Sequence, residues 1–109
     1  MRLRKRNSDS GMAHGRSAAL AKTADALAHP LRVEMFSYII KCNRDRITVR
    51  NKDLVKASGY SQATISQHIN VLTDGGLLTA VPQGTSTCYY ANIGIVTKFV
   101  NELMALGEL

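Results

Sequence analysis

Near the middle of the chain, two helix signals are separated by a turn. A short helix is predicted over residues 52–57 with Asn51 as its cap, and Ser58-Gly59-Tyr60 then indicates a turn. A second helix is predicted from its cap Ser61 to Asp74, where two glycines that can adopt the left-handed conformation stop it. Two short helices joined by a glycine-containing turn form a helix-turn-helix. No other part of the chain restricts the fold as strongly.

Two β-prone runs follow this motif, over residues 77–81 and 85–90. Between them lies Pro82-Gln83-Gly84, a polar, glycine-containing tip that is typical of a β-hairpin. A helix-turn-helix followed by a hairpin is a winged helix-turn-helix, in which the second helix enters the major groove of DNA. The hairpin, or wing, then contacts a neighbouring backbone or minor groove.

Helical patterns flank this unit on both sides. An alanine-rich helix is predicted over residues 17–28, and a second helix runs from Pro30, which suits a first helical turn, to about Cys42. Apolar positions three and four apart predict a closing amphipathic helix over residues 94–106. The predicted fold is therefore mainly α with a small β-hairpin, a winged helix-turn-helix.

The first and last helices are expected to form a homodimer interface. A monomer of 109 residues would be marginal, because a small domain buries only part of its surface on folding. The closing helix carries a broad apolar stripe, and the small alanines of the first helix allow close approach. The predicted interface residues are the apolar positions of these two helices: Leu20, Ala24, Leu27, Val96, Phe99, Val100, Leu103 and Leu106.

The basic charge is concentrated at the start of the chain. Fourteen Lys and Arg against eight Asp and Glu give a net charge of +6, which favours a polyanionic partner. Residues 1–16 hold five of these cations and one acidic residue, and they have no apolar period. We interpret residues 1–16 as a flexible basic arm, either a solvated tail or a DNA contact, and residues 17–109 as the DNA-binding and dimerisation domain.

Several classes of protein are excluded by composition. No apolar run approaches the ~20 residues that cross a bilayer, and the polar Asn7-Ser8-Asp9-Ser10 occupies the place of a signal peptide's apolar region. We therefore expect a cytoplasmic protein that does not contact membranes. Ser66 and His68 are too close on one helix to form a catalytic pair, and no glycine-rich loop could hold phosphates. We predict no enzymatic activity, no catalytic residues and no cofactor.

The second helix of the motif has two different faces. Ile65, Ile69 and Leu72 lie on one side, with His68 beside them. We interpret His68 as a structural histidine bonded to backbone or water; a base contact or a pH sensor is the alternative. The opposite side is small and amide-bearing, with Gln62, Ala63, Ser66, Gln67 and Asn70. Gln and Asn can bond adenine bidentately, Ser can bond either base edge, and Ala can contact a thymine methyl. We predict that this face reads bases; the alternative is an uncharged solvated surface.

Three segments, in order, resemble the ArsR-type (arsenic-repressor-like) bacterial regulators. They are Ala26-Leu27-Ala28-His29-Pro30-Leu31-Arg32, then Ser61-Gln62-Ala63-Thr64-Ile65-Ser66-Gln67-His68-Ile69-Asn70-Val71-Leu72 with Gly75-Gly76-Leu77-Leu78, and the wing residues Gln83-Gly84 with Tyr89-Tyr90. The resemblance spans roughly residues 17–106. It implies a homodimeric repressor that an inducer releases from its operator, with DNA contacts at Gln62, Ala63, Ser66 and Gln67.

The sequence departs from this family at its metal sites. Many relatives carry Cys-x-Cys-Asp-Leu where this chain has Arg50-Asn51-Lys52-Asp53-Leu54, and two cations would repel a metal ion. The last helix offers no His, Cys or Asp. We therefore predict no metal site, and the effector stays unidentified. The alternatives are an organic ligand at the dimer interface, a thiol event or no effector at all. Arg50 and Lys52 are instead expected to meet DNA phosphates, with simple solvation as the alternative.

The sequence thus predicts a sequence-specific regulator, a repressor, that binds an inverted-repeat operator in double-stranded DNA as a homodimer. The alternative is a winged-helix module that binds a protein partner and associates with nucleic acid only non-specifically. A thiol redox switch at Cys42 or Cys88 is considered as the alternative, but the favoured interpretation is structural: Cys42 ends an apolar helical stripe, and the two cysteines lie on elements that need not meet. The predicted DNA-binding residues are Ser61, Gln62, Ala63, Ser66, Gln67, Asn70, Arg50, Lys52, Gln83, Gly84 and Thr85.

Overall fold

A computed structural model describes residues 14–108 of the chain, with side chains from residue 17 onward. Within that range the elements are α1 (His14–Ala26), α2 (Pro30–Arg44), α3 (Asn51–Ser58), α4 (Gln62–Asp74), β1 (Leu78–Gln83), β2 (Ser86–Ala91) and α5 (Ile93–Ala105). This order confirms the predicted fold, mainly α with a winged helix-turn-helix. Residues 1–13 of the predicted arm lie outside the described residues. The remaining three belong to α1, so the first helix begins earlier than predicted.

The start of α3 differs from the prediction. Asn51 does not cap this helix but is its first residue, and the capping position is occupied by Arg50. The carboxylate of Asp53 accepts a hydrogen bond from the Arg50 backbone N–H at 2.8 Å. A carboxylate one turn into a helix can satisfy a free N–H at its start, and this interaction releases the Asn51 side chain for another partner.

The boundaries of α4 agree with the prediction. Ser61 is the N-cap, and its Oγ accepts a hydrogen bond from the Thr64 N–H at 3.2 Å. The helix ends at Asp74, and Gly76 turns the chain with a φ of 82°. That conformation is strained for a residue with a side chain, which explains the glycine. The turn sends the chain directly into the wing.

The wing is an antiparallel hairpin whose tip lies further along than predicted. Pro82 and Gln83 belong to β1 and face Thr87 and Ser86, so that Gly84 and Thr85 alone form the turn. Proline is tolerated because a two-stranded sheet consists only of edge strands. Residues 47–49, which are also β-prone in sequence, do not form a strand of their own, although the Tyr89 N–H donates to the Val49 carbonyl at 2.9 Å.

A single apolar cluster joins α1–α4 and the start of the wing. Its most deeply buried members are Ile39, Val49, Leu54, Ile65, Leu72 and Leu77. Helix α1 packs against α4 and α5, while α2 packs against α4 and β2. Helix α5 has no fully buried residue and covers this cluster only in part. Among the described helices, none is long and apolar enough to cross a membrane.

Candidate nucleic-acid interface

Burial divides α4 into the two faces that the helical angles indicate. Ile65, Ile69 and Leu72 are at most 2% exposed and fix the helix to the core. The opposite side is open to solvent and carries Gln62, Ala63, Gln67 and Asn70. The exposed surface of α4 is therefore uncharged, polar and free of large side chains, so a base edge could approach it closely.

Ser66 is less free than its position on this face suggests. Its Oγ accepts a hydrogen bond of 2.9 Å from the Asn51 side-chain amide, and the residue is half-buried between α3 and α4. The Ser66 hydroxyl proton can still be donated outward, because this contact uses only a lone pair. Asn51 is a site residue that sequence reasoning assigned to the wrong role. No local signal could have revealed a bond that spans fifteen residues.

The beginnings of α3 and α4 meet the wing across an open cleft of about 290 Å³. The predicted contact residues Arg50, Lys52, Gln62 and Thr85 all line it. The cleft therefore combines two cations with side-chain amides and hydroxyls, which are the groups that bind phosphate oxygens in protein–DNA complexes. Its remaining walls come from residues that were not predicted as contacts: Asn51, Ser86, Thr87 and Tyr89.

Tyr89 offers a further hydrogen-bond donor in this cleft. Burial raises the pKa of its hydroxyl above the ordinary value, and the neighbouring Cys88 adds to the effect. The hydroxyl therefore stays protonated at physiological pH and can donate to an anion. Its place next to the cations suits a phosphate contact.

Gln83 connects the wing to α3. Its side-chain Oε1 accepts from Arg50 Nη2 at 3.4 Å and from the Cys88 thiol at 3.0 Å. Cys88 is fully buried beneath it. The DNA contact predicted for Gln83 stays a prediction, and its side-chain carbonyl oxygen also holds the wing in place. The side-chain NH2 group remains available as a donor.

His68 joins α4 to the junction of α1 and α2. Its Nδ1 lies 3.1 Å from Nη1 of Arg32, and its ring centroid lies 4.6 Å from that of His29. Arg32 also donates through Nε to the Ala26 carbonyl at 2.7 Å. Because arginine can only donate, His68 Nδ1 must accept and carry no proton. Desolvation, followed by His29 and Arg32, lowers the pKa of His68.

His68 is therefore a structural residue, as its angular position indicated, although its partner is a side chain and not backbone or water. His29 lies directly before Pro30, at the entrance of α2. Its Nδ1 accepts from the Leu31 N–H at 3.1 Å and caps α2.

The two cysteines are free thiols on different elements. Cys42 is half-buried near the end of α2, and Cys88 lies in the middle of β2. The redox hypothesis for this pair stays a prediction. Within residues 14–108, no three His, Cys, Asp or Glu side chains are grouped in a way that could hold a metal ion.

The predicted dimer residues differ in how far their own protomer covers them. Leu27 and Val96 pack against the core, while Leu20 and Phe99 are half-buried and Ala24 is exposed. Val100, Leu103 and Leu106 are exposed on the last helix or directly after it, together with the unpredicted Met104. The apolar surface that remains uncovered is therefore concentrated toward the end of α5.

No protein-family model and no curated protein matches the sequence. Among solved structures, an ArsR-like transcriptional regulator from Rhodococcus sp. RHA1 is similar with a TM-score of 0.75 and 25% identity, over 87% of this chain and 85% of that one. HlyU from Vibrio cholerae N16961 is similar with a TM-score of 0.68 and 18% identity, over 89% of this chain and all of HlyU.

A homodimeric winged helix-turn-helix DNA-binding domain, Mb0332 from Mycobacterium bovis, is similar with a TM-score of 0.65 and 20% identity, over 91% of each chain. Mb0332 is described as a possible ArsR-family regulator. The shared fold extends over nearly all of the residues that the structure describes here.

Proposed function

We propose that this chain, which resembles ArsR-type regulators in its fold and motifs, is a sequence-specific DNA-binding transcriptional regulator and not an enzyme. In detail, it is a repressor that binds an inverted-repeat operator in double-stranded DNA as a homodimer. The observation that carries this proposal is the exposed, uncharged amide face of α4 beside a cationic cleft.

The chemistry of the α4 face supports base reading. Solvent-exposed helix surfaces usually carry charged residues, because Lys and Glu are easily hydrated. Here Gln62, Gln67 and Asn70 are exposed instead, and each offers both a donor and an acceptor. Such amides can bond bidentately to adenine in the major groove, and Ala63 leaves room for a thymine methyl. In this proposal, α4 supplies sequence selectivity.

The cations flank this face and do not interrupt it. Arg50 and Lys52 lie at the start of α3, and the wing tip at Gly84 and Thr85 is exposed on the other side of the cleft. Phosphate contacts fix the orientation of a protein on DNA without reading sequence. We assign Arg50, Lys52, Ser61 and Thr85 to this positioning, with Gln83 fixing the distance from the wing to α3.

The apolar surface of α5 supports homodimer formation through the first and last helices. Val100 and Leu103 are each 45% exposed and Leu106 is 55% exposed, which is costly for side chains of this size. A two-fold axis at this surface would hide them and present two copies of α4. Recognition helices about one DNA turn apart require an operator with inverted symmetry.

Selection of bound duplexes from random DNA, followed by titration of variants, tests the proposal. Gln67→Ala should weaken binding to the selected duplex by about 1–3 kcal/mol at one base step and leave non-specific binding nearly intact. Lys52→Gln should weaken all duplexes similarly and lower the salt slope by about 1. Asn101→Ala, which removes an exposed amide from α5, is the matched control and should change neither.

Equal affinity of Gln67→Ala and the unmodified protein for every duplex would contradict base reading. That result would favour the winged-helix module that binds a protein partner. Sedimentation tests the dimer separately, because a protomer that stays monomeric at micromolar concentration would refute the proposed interface.

A further inference from the structure

An apolar cavity of about 380 Å³ lies between α1, α2 and α5, on a different surface from the cationic cleft. Cavities of this size are sufficient for small organic ligands, which bind in volumes of roughly 300–1,000 Å³. The apolar part of its wall is supplied by Leu27, Val33, Phe36, Ile40, Leu77, Val96 and Phe99. Leu27, Val96 and Phe99 are also predicted dimer residues, so the cavity adjoins the proposed dimer interface. Val33 is 50% exposed, so the cavity is open to solvent on that side.

The polar groups at this cavity are concentrated toward one end of α2. Lys41 and Arg44 line it with solvent-exposed side chains, and neither side chain has a hydrogen bond or an ion pair within the described residues. The hydroxyl of Ser37 lies one helical turn before Lys41. Thr23 contributes little polarity, because its hydroxyl is already donated to the Ala19 carbonyl at 3.3 Å. No acidic side chain lines the cavity.

We propose that this cavity binds a small organic anion with an apolar body, such as a medium-chain carboxylate, and that this ligand is the effector of the regulator. The apolar walls would cover the hydrocarbon part, and Lys41 and Arg44 would bind the carboxylate. A neutral hydrocarbon would gain nothing from the two exposed cations, which water hydrates in its absence, and an organic cation would be repelled. The effector role rests on the DNA-binding function proposed above, whereas the binding site itself does not.

Leu77 connects the cavity to the DNA-binding elements. Its backbone N–H donates to the Leu72 carbonyl near the end of α4 at 2.9 Å, and its carbonyl accepts from the Asn92 N–H at the start of α5 at 2.9 Å. A ligand that displaces the Leu77 side chain therefore acts on the recognition helix and on the proposed dimer helix together. Ligand binding would change the separation of the two recognition helices, and DNA affinity would fall.

Calorimetric titration of the full-length protein with octanoate, in the absence of DNA, tests the site. Octan-1-ol has the same chain without the charge, and octylammonium has the opposite charge. We expect octanoate to bind about tenfold more tightly than octan-1-ol, and octylammonium not to bind. The double variant Lys41→Gln, Arg44→Gln should remove this preference. The control Arg46→Gln, Lys56→Gln changes two exposed cations elsewhere and should retain it.

Ser37→Leu fills part of the cavity and should weaken octanoate and octan-1-ol alike, while the thermal unfolding midpoint shows whether the variant folds. Equal binding of octanoate and octan-1-ol by the unmodified protein would overturn the proposal. The proposal would also be overturned if the protein is a dimer in sedimentation and binds neither octanoate nor octan-1-ol in the titration. In that case we would assign the cavity to the second copy of the chain.

A second titration, with the duplex selected above, separates this inference from the proposed function. Octanoate should lower the affinity for that duplex at least tenfold in the unmodified protein and not in Lys41→Gln, Arg44→Gln. If the protein binds the selected duplex selectively and octanoate does not weaken this binding, the effector role is overturned, while the proposed regulator function is not. Octanoate binding by a protein that does not select any duplex supports the cavity site and overturns the regulator function.

Discussion

Gly75 lies at the contact between the end of α4 and the end of α1, and its replacement by alanine should destabilise the protein. A Cβ at this position would lie 2.5 Å from the Cβ of Ala26 and 3.3 Å from the Val71 carbonyl oxygen. The φ of Gly75 is −79°, which any residue adopts. The expected penalty is therefore a steric one between two helices and not a strained backbone.

The size of the penalty follows from these distances. Two carbon atoms are at their best separation at about 3.5–4.0 Å, so an approach to 2.5 Å forces the helices apart by roughly 1 Å. Overpacking of this kind costs about 1–3 kcal/mol. Alanine recovers part of this cost through its lower backbone entropy in the unfolded chain, at most ~1 kcal/mol. We expect Gly75→Ala to lower the free energy of unfolding by about 1–2 kcal/mol.

Urea unfolding at a fixed protomer concentration measures this change, because the stability of a dimer depends on concentration. Gly94→Ala is the matched control, since a Cβ at that position in α5 has no atom within 4 Å. Its free energy of unfolding should stay the same or rise by up to ~1 kcal/mol.

The double variant Ala26→Gly, Gly75→Ala removes the clashing methyl group and should be more stable than the sum of the two single changes predicts. Full stability of Gly75→Ala, or strict additivity in the double variant, would refute the proposed contact between α1 and α4.

Three other predictions concern the contacts that hold α4 and the wing. Asn51→Ala and Ser66→Ala should each lower the free energy of unfolding by about 0.5–1 kcal/mol. The double variant should lose no more than either single variant, because the two residues share one hydrogen bond. The loss in Asn51→Ala is small since this change also removes the Asn51 Oδ1, which is buried without a partner among the described residues. The pKa of His68 is lower in the folded protein than in the unfolded chain, so the unfolded chain binds a proton at a higher pH. The contribution of His68 to the free energy of unfolding should therefore be fully present above about pH 6.5 and be lost as the pH falls below it. His68→Gln should flatten a plot of unfolding free energy against pH, and an unchanged slope would contradict the role given to this histidine. Cys88→Ser should keep the hydrogen bond to Gln83 and the affinity for DNA, whereas Cys88→Ala should lower the affinity for all duplexes to a similar extent in a binding titration. An equal loss of affinity in both variants would contradict the role given to the hydrogen bond between Cys88 and Gln83.

Local sequence was sufficient to predict the elements whose limits are set by local interactions. Ser61 caps α4 through its own side chain, and Gly76 turns the chain after Asp74 through its left-handed backbone conformation. The apolar period of α4 then determines its exposed face. These signals lie within one or two helical turns, so each can be inferred without knowledge of the rest of the fold.

The errors concern contacts between elements that are distant in sequence. Asn51 is a residue type that often caps helices, yet its side-chain amide donates to Ser66, while the Asp53 carboxylate accepts from the Arg50 N–H at the start of α3. The sequence predicts Gln83 in the wing turn, but Gln83 pairs with Ser86 as part of β1. Strand pairing extends past Pro82 because, among the described residues, there is no third strand that would need the N–H which proline lacks. In both cases a tertiary contact decides between two locally acceptable structures.

Helix α4, the proposed recognition helix, is held by two different groups of contacts, and this division matters for the proposed regulation. Ser66 ties one side of α4 to α3, next to the proposed phosphate contacts. His68, through Arg32, ties the other side to the junction of α1 and α2, and the Leu72 carbonyl is bonded by the Leu77 N–H at the cavity. The second group of contacts involves the helices that line the cavity and form the proposed dimer. In the proposed regulator, a ligand in this cavity would therefore change the orientation of the proposed base-reading face of α4 without touching any proposed DNA contact.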